Sequence, residues 1–148
     1  MVTVNSRADE PDAVYELRAH TADVAIEARA GSRDTVFAAV ADGLTAAHCE
    51  AVPEAGERFS FAIAAESEEA LLFDYLDELI YERDVRDVLP ADHEVRTEEA
   101  GGEWRLEASA RGVPIGSIEA REIKAVTYSE MRLEECEEGW YAYVVFDV

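Results

Sequence analysis

Lysine is almost absent from this 148-residue chain. Thirteen basic residues face 34 acidic ones, and only Lys124 among the thirteen is lysine. The formal net charge is −21. So one-sided a chain repels itself in dilute salt, whereas at ~1 M salt the Debye length of about 3 Å screens that repulsion. Scarce lysine with abundant Asp and Glu therefore points to a host with a molar-salt interior, such as a halophilic archaeon. A hydrophobic content of 49% excludes the other reading of an acidic chain, that it is disordered. The shortage of basic surface also argues against direct nucleic-acid binding, which must displace phosphate counterions.

Other absences narrow the class further. No apolar run approaches the ~18 residues of a membrane span. "MVTVNSRADEPDA" has no basic stretch followed by an apolar one, so it is not a secretory signal, and residues 1–13 are expected to be a flexible leader. Together these place the protein in the cytoplasm. The two cysteines, Cys49 and Cys136, lack C-x-x-C spacing and are expected as buried thiols. His48 and Cys49 are adjacent but no other cluster completes a tetrahedral zinc set. Phosphate loop, nucleophile elbow, dinucleotide fingerprint and H-E-x-x-H are all missing, which argues against an enzyme. His93, in an acidic stretch, is expected at the surface.

What is present reads as one domain over 14–148, long enough to bury ~70% of its unfolded surface. "VYELR" (14–18) and the alternating "VAIEARA" (24–30) read as strands. Ser32 is a good N-cap for a helix running to about 49, with Asp34 suited to its first turn. "RFSFAIAA" (58–65) alternates as a strand, and Ser67 caps a second helix with an apolar stripe at Leu71, Leu72, Tyr75, Leu76, Leu79 and Ile80. Asp74, Asp77, Glu78 and Glu82 read as its solvated face. Four more strands are expected at 92–99, 103–112, 122–135 and 139–148, the last two joined as a hairpin through "ECEEG". The class is α+β: a two-layer sandwich in which two helices cover a mostly antiparallel sheet.

Three stretches carry possible chemistry. "RAHTADVAI" (18–26) packs His20, Thr21 and Asp23 into a bend between strand residues. "YAYVVFDV" is apolar up to its end, so Asp147 and the Val148 carboxylate are expected to be held close together, a costly pair of like charges unless a cation compensates. Calcium takes 6–8 oxygen ligands and magnesium an octahedron of six, so a hard-cation site there is reasonable, with Asp23 as a further ligand if the bend abuts the last strand. The alternative is a turn-capping Asp23 and a solvated Asp147. In "IKAVTYSEM" (123–131), the sole lysine, Lys124, lies four residues from Tyr128, which puts both on one strand face.

"HTADVAI" (20–26), "LLFDYLDELIY" (71–81) and "EIKAVTYSEMRLEECEEGWYAYVVFDV" (122–148), in this order and spacing, resemble the archease family from about Val14 to the end. The resemblance implies a small α/β sandwich that assists the RtcB-type RNA ligase of tRNA splicing, promoting its guanylylation and repeated turnover without itself being a ligase. It further implies a calcium or similar divalent site (magnesium and manganese are the alternatives) at Asp23, Asp147 and Val148. His20, Lys124 and Tyr128 are candidate partner contacts. Many relatives have a histidine after the tyrosine of K-A-V-T-Y, where this chain has Ser129. The competing functional readings are a divalent-metal hydrolase and a metal-free chaperone or scaffold.

Overall fold

The structure is a computed structural model that describes residues 2–5, 13–20 and 23–148. In chain order the elements are β1 (Val2–Asn5), β2 (Val14–His20), β3 (Asp23–Ala30), α1 (Arg33–His48), β4 (Glu57–Ala65), α2 (Glu68–Arg86), β5 (Val88–Ala100), β6 (Glu103–Pro114), a 3-10 turn (Ile115–Ser117), β7 (Ala125–Cys136) and β8 (Gly139–Asp147). All strand pairings are antiparallel. The strands divide between a five-stranded sheet of order β1-β2-β3-β8-β7 and a three-stranded sheet of order β4-β6-β5.

The α+β class is as expected, with one refinement: there are two sheets rather than one. Periodicity marks where strands run but not which strands exchange hydrogen bonds. Residues Val2–Asn5, expected within a leader, pair with β2 from Val2↔Leu17 to Asn5↔Val14. Residues 6–12 of that leader lie outside the described residues.

Capping fixes where the helices begin. Ser32 Oγ accepts from the Thr35 N–H while Thr35 Oγ1 accepts from the Ser32 N–H, each at 3.2 Å. This closes the first turn of α1 reciprocally. Ser67 Oγ accepts from the Ala70 N–H at 3.1 Å to open α2, and Asp87, left-handed at φ 58°, closes it. The helix thus runs from Glu68 to Arg86, with Arg83 and Arg86 in its last turn.

Both helices serve one core. Val36, Phe37, Val40 and Leu44 of α1 meet Val24, Ile26 and Ala28 of β3 and Val144 and Phe146 of β8 in a single apolar cluster. That cluster also takes in Leu71, Leu72, Tyr75, Leu76 and Leu79 of α2 and Leu106 of β6. Each fully buried leucine contributes about 1.5–3 kcal/mol. Gly43 lets α1 lie close on the sheet: a Cβ there would stand 2.8 Å from Ile26 Cγ2 and 3.1 Å from Tyr15. At the far end of β3 the Arg33 guanidinium lies over Trp104 of β6 (4.5 Å) and faces Trp140 of β8 (5.7 Å), joining the two sheets.

Candidate metal centre

Antiparallel register brings the first and last candidates together. Asp23 opens β3 and stands opposite Asp147, the last residue of β8. On its other side Asp23 faces His20 of β2, and beyond Asp147 comes Ala125 of β7. One row across four strands thus reads His20, Asp23, Asp147, Ala125. Directly opposed residues of such a ladder sit about 4.5–5.5 Å apart at Cα. Two carboxylates 124 positions apart in sequence become neighbours. The His20 side chain and Thr21 lie outside the described residues.

Asp23 is half-buried and its Oδ1 is closed to solvent, whereas Asp147 and Val148 are exposed. Lys124 immediately precedes β7, and its N–H donates to the Asp147 carbonyl oxygen at 2.8 Å. Its own side chain is exposed. Among the described residues, side chains of His, Cys, Asp and Glu nowhere gather in threes at metal-holding distance. Val148 directly follows Asp147 and is exposed beside it. Carboxylate oxygens such as those of Asp23 and Asp147 are hard donors, the chemistry that calcium and magnesium take.

Tyr128 lies elsewhere on β7. Pairing with β8 runs regularly to Thr127↔Val145 and resumes at Arg132↔Tyr143, so residues 128–131 stand against Val144 alone. Glu130 within this bulge has φ 59°. Tyr128 is 57% exposed, and its ring stacks on Phe73 of α2 with centroids 4.0 Å apart and planes 3° from parallel. The common strand face expected for Lys124 and Tyr128 is not observed. One precedes the strand and the other sits in its irregular stretch.

Several polar side chains depart from expectation. His93 is buried, not exposed: Ala91, His93 and Val95 continue the inward alternation of β5, and His93 Nε2 lies 2.8 Å from Thr45 Oγ1. That alternation was the available signal, and the acidic neighbours obscured it. Glu82 is also buried, with Arg86 Nε donating to it at 2.6 Å. Its neighbour Glu78 is raised to about 7, by burial first and then by its hydrogen bond and charge contact with Glu82. Cys49 is buried as expected, but Cys136, at the end of β7, is exposed.

His48 is buried near the end of α1. Its Nδ1–H donates to Leu44 O at 2.9 Å, and Nε2 accepts from Arg83 Nη1 at 2.9 Å. Burial, aided by the Arg83 charge, pushes the imidazole down to about 4. None of this was visible from the His48–Cys49 dipeptide alone.

Residues 15–148 match the sequence pattern of the archease protein family. The chain belongs to the archease family. An archease of Pyrococcus furiosus is 31% identical over 140 residues, covering 90% of this chain and 98% of that one. An archease of Methanosarcina mazei is 36% identical over 142 residues, covering 90% and 95%. Among solved structures, a protein of Methanobacterium thermoautotrophicum superposes with a TM-score of 0.78 at 27% identity, over 90% of this chain and 98% of that one. A crystal structure described as an archease and possible chaperone, from Thermotoga maritima, superposes with a TM-score of 0.60 at 23% identity and shares the fold. The matches to the Pyrococcus furiosus and Methanosarcina mazei relatives run over nearly the whole of those proteins. Among the described residues no helix is long and apolar enough to cross a membrane.

Proposed function

We propose that this archease-family chain is a protein cofactor of an RtcB-type RNA ligase in the cytoplasm, promoting its guanylylation and repeated turnover. We propose also that Asp23, Asp147 and Val148 hold a divalent cation, calcium first among the choices. The observation that supports the second part is the facing of Asp23 and Asp147 beside the last residue. An all-oxygen set at an accessible sheet end suits the adaptable shell of calcium better than the rigid octahedron of magnesium.

When bound, the cation supplies positive charge and coordination positions left open by the protein, which an anionic group of the ligase can occupy. The chain's own residues do the rest. Asp23 is held by the β3 ladder, with one oxygen enclosed. The carbonyl of Asp147 is held by the Lys124 N–H, which fixes the strand end that carries the second carboxylate. The exposed Lys124 ammonium, on the coil just before β7, and the exposed Tyr128 ring, in the β7 bulge, serve as contacts for the ligase. The net charge of −21 favours a protein partner over direct contact with RNA. The description of the Thermotoga maritima neighbour as a possible chaperone agrees with a role exerted on another protein.

The test is multiple-turnover RNA ligation by a cognate ligase in molar KCl, with and without this protein and a chelator. Stimulation is expected to need the protein, to fall on chelation, and to be lost in Asp23→Ala and Asp147→Ala. Full stimulation by either folded variant overturns the metal assignment, and no stimulation by the wild type overturns the cofactor reading.

A further inference from the structure

Residues 119–124, between the 3-10 turn and β7, belong to no helix or strand, and most of their side chains are exposed. A segment of this kind is ordinarily mobile unless something ties it down. Here four ties fall within four residues. The Arg121 N–H donates to His48 O at 2.7 Å. The Ile123 side chain is fully buried in the main core. Ile123 O accepts from Arg83 Nη1 at 2.6 Å. The Lys124 N–H donates to Asp147 O at 2.8 Å.

We propose that Arg83, braced by His48, is a positioning residue that clamps residues 121–124 and so fixes the backbone of Asp147 at the candidate metal centre. This deepens the metal reading given above and rests on it.

The chemistry of one nitrogen carries the argument. Arg83 Nη1 has two hydrogens. One goes to His48 Nε2 and the other to Ile123 O. The imidazole can accept only because its Nδ1 carries the proton, which it gives to Leu44 O one turn back on α1. The guanidinium is itself 13% exposed, and its Nε donates to Asp84 at 2.9 Å. Arg83 is therefore a bracket with α1 on one side and the coil on the other, mounted on α2 where Leu79 and Ile80 are already buried. A rigid planar fork suits this better than a flexible ammonium. The helices have a core of their own to hold them, whereas the coil has only these ties. Loss of the bracket is therefore felt first along Ile123, Lys124 and Asp147.

Arg83→Met keeps the apolar stem and removes both donors; Arg83→Lys keeps the charge and one donor reach; Leu79→Ala is a control that destabilises α2 and leaves the Arg83 donors in place. The readouts, in molar KCl, are amide hydrogen exchange of Arg121 and Lys124 and the Kd for calcium by titration calorimetry. Arg83→Met is expected to speed exchange at Lys124 about tenfold and to weaken calcium about fivefold, with Arg83→Lys in between. Leu79→Ala is expected to lower Tm and leave the calcium Kd unchanged. Unchanged Lys124 exchange in Arg83→Met overturns the clamp, as does faster exchange with an unaltered calcium Kd. Should Arg83→Met not fold, Arg83→Lys is judged by the same two criteria. A wild type that binds no calcium removes the metal reading instead, and Lys124 exchange then decides alone whether the bracket orders the coil.

Discussion

Asp23 and Asp147 are opposed residues on neighbouring antiparallel strands, and the carbonyl of Asp147 is fastened to the Lys124 N–H at 2.8 Å. Like charges directly opposite each other destabilise a sheet by a few tenths of a kcal/mol. With chelator present, Asp147→Asn is therefore expected to raise Tm by about 1 °C. Added calcium is expected to raise the Tm of the wild type and not that of Asp147→Asn. Thermal unfolding with chelator and with calcium checks both, and a calcium shift that survives in the variant refutes the assignment.

Acid is expected to weaken the fold through His48. Its imidazole lies at about 4 in the folded protein against an ordinary 6.5, chiefly because it is buried, with Arg83 and Asp84 of α2 and His93 of β5 as the ionisable groups around it. Between these pH values the unfolded chain binds a proton that the folded protein does not. The His48 contribution is therefore full above pH 6.5 and is lost as pH falls toward 4, by about 3 kcal/mol at the lower limit. Urea midpoints from pH 7.5 to 4 for wild type and His48→Gln give the test. The difference between the two should grow smaller as pH falls.

Glu78 has the opposite slope. Burial and the neighbouring Glu82 hold it up at about 7, above its ordinary 4.5, while hydrogen bonds from Glu78 and Arg86 draw Glu82 down. With a raised folded value, its contribution is full below pH 4.5 and is lost as pH rises through 7. Glu78→Gln mimics the protonated form. It is expected to raise Tm at pH 8 by about 1–3 °C and to change little at pH 5. Equal effects at both pH values show that the carboxyl does not titrate between them.

The stack of Tyr128 on Phe73 pins the β7 bulge to α2. Tyr128→Ala removes an aromatic pair worth about 0.5–1.5 kcal/mol, and a Tm loss of about 2–4 °C is expected. If the exposed ring also meets the ligase, stimulation at saturating protein falls several-fold in Tyr128→Ala and is kept in Tyr128→Phe. Unimpaired stimulation in Tyr128→Ala limits this residue to the fold.

Local pattern was enough for most elements. Ser32 and Ser67 mark helix starts because a side-chain oxygen is needed wherever the first turn leaves N–H groups open. The strand of "VAIEARA" follows from alternation alone. Pattern failed where a residue's partner is distant. His93 and Glu82 were read as solvated because their sequence neighbours are acidic, yet Thr45 meets His93 in the interior and Arg86 reaches over Glu82 from the surface. Cys136 was expected inside and lies exposed at the end of β7, since a lone cysteine carries no periodicity of its own.

The sequence by itself determined the α+β class, the positions of the helices, the acidic character and the identity of the carboxylates worth attention. Composition and period are local properties, and so is the chemistry of a side chain. Only the tertiary structure decided that the strands split into two sheets, that Asp23 meets Asp147, and that Arg83 reaches both His48 and the coil before Lys124. Those are matters of register and crossing, set by which strand pairs with which and where two helices share a core.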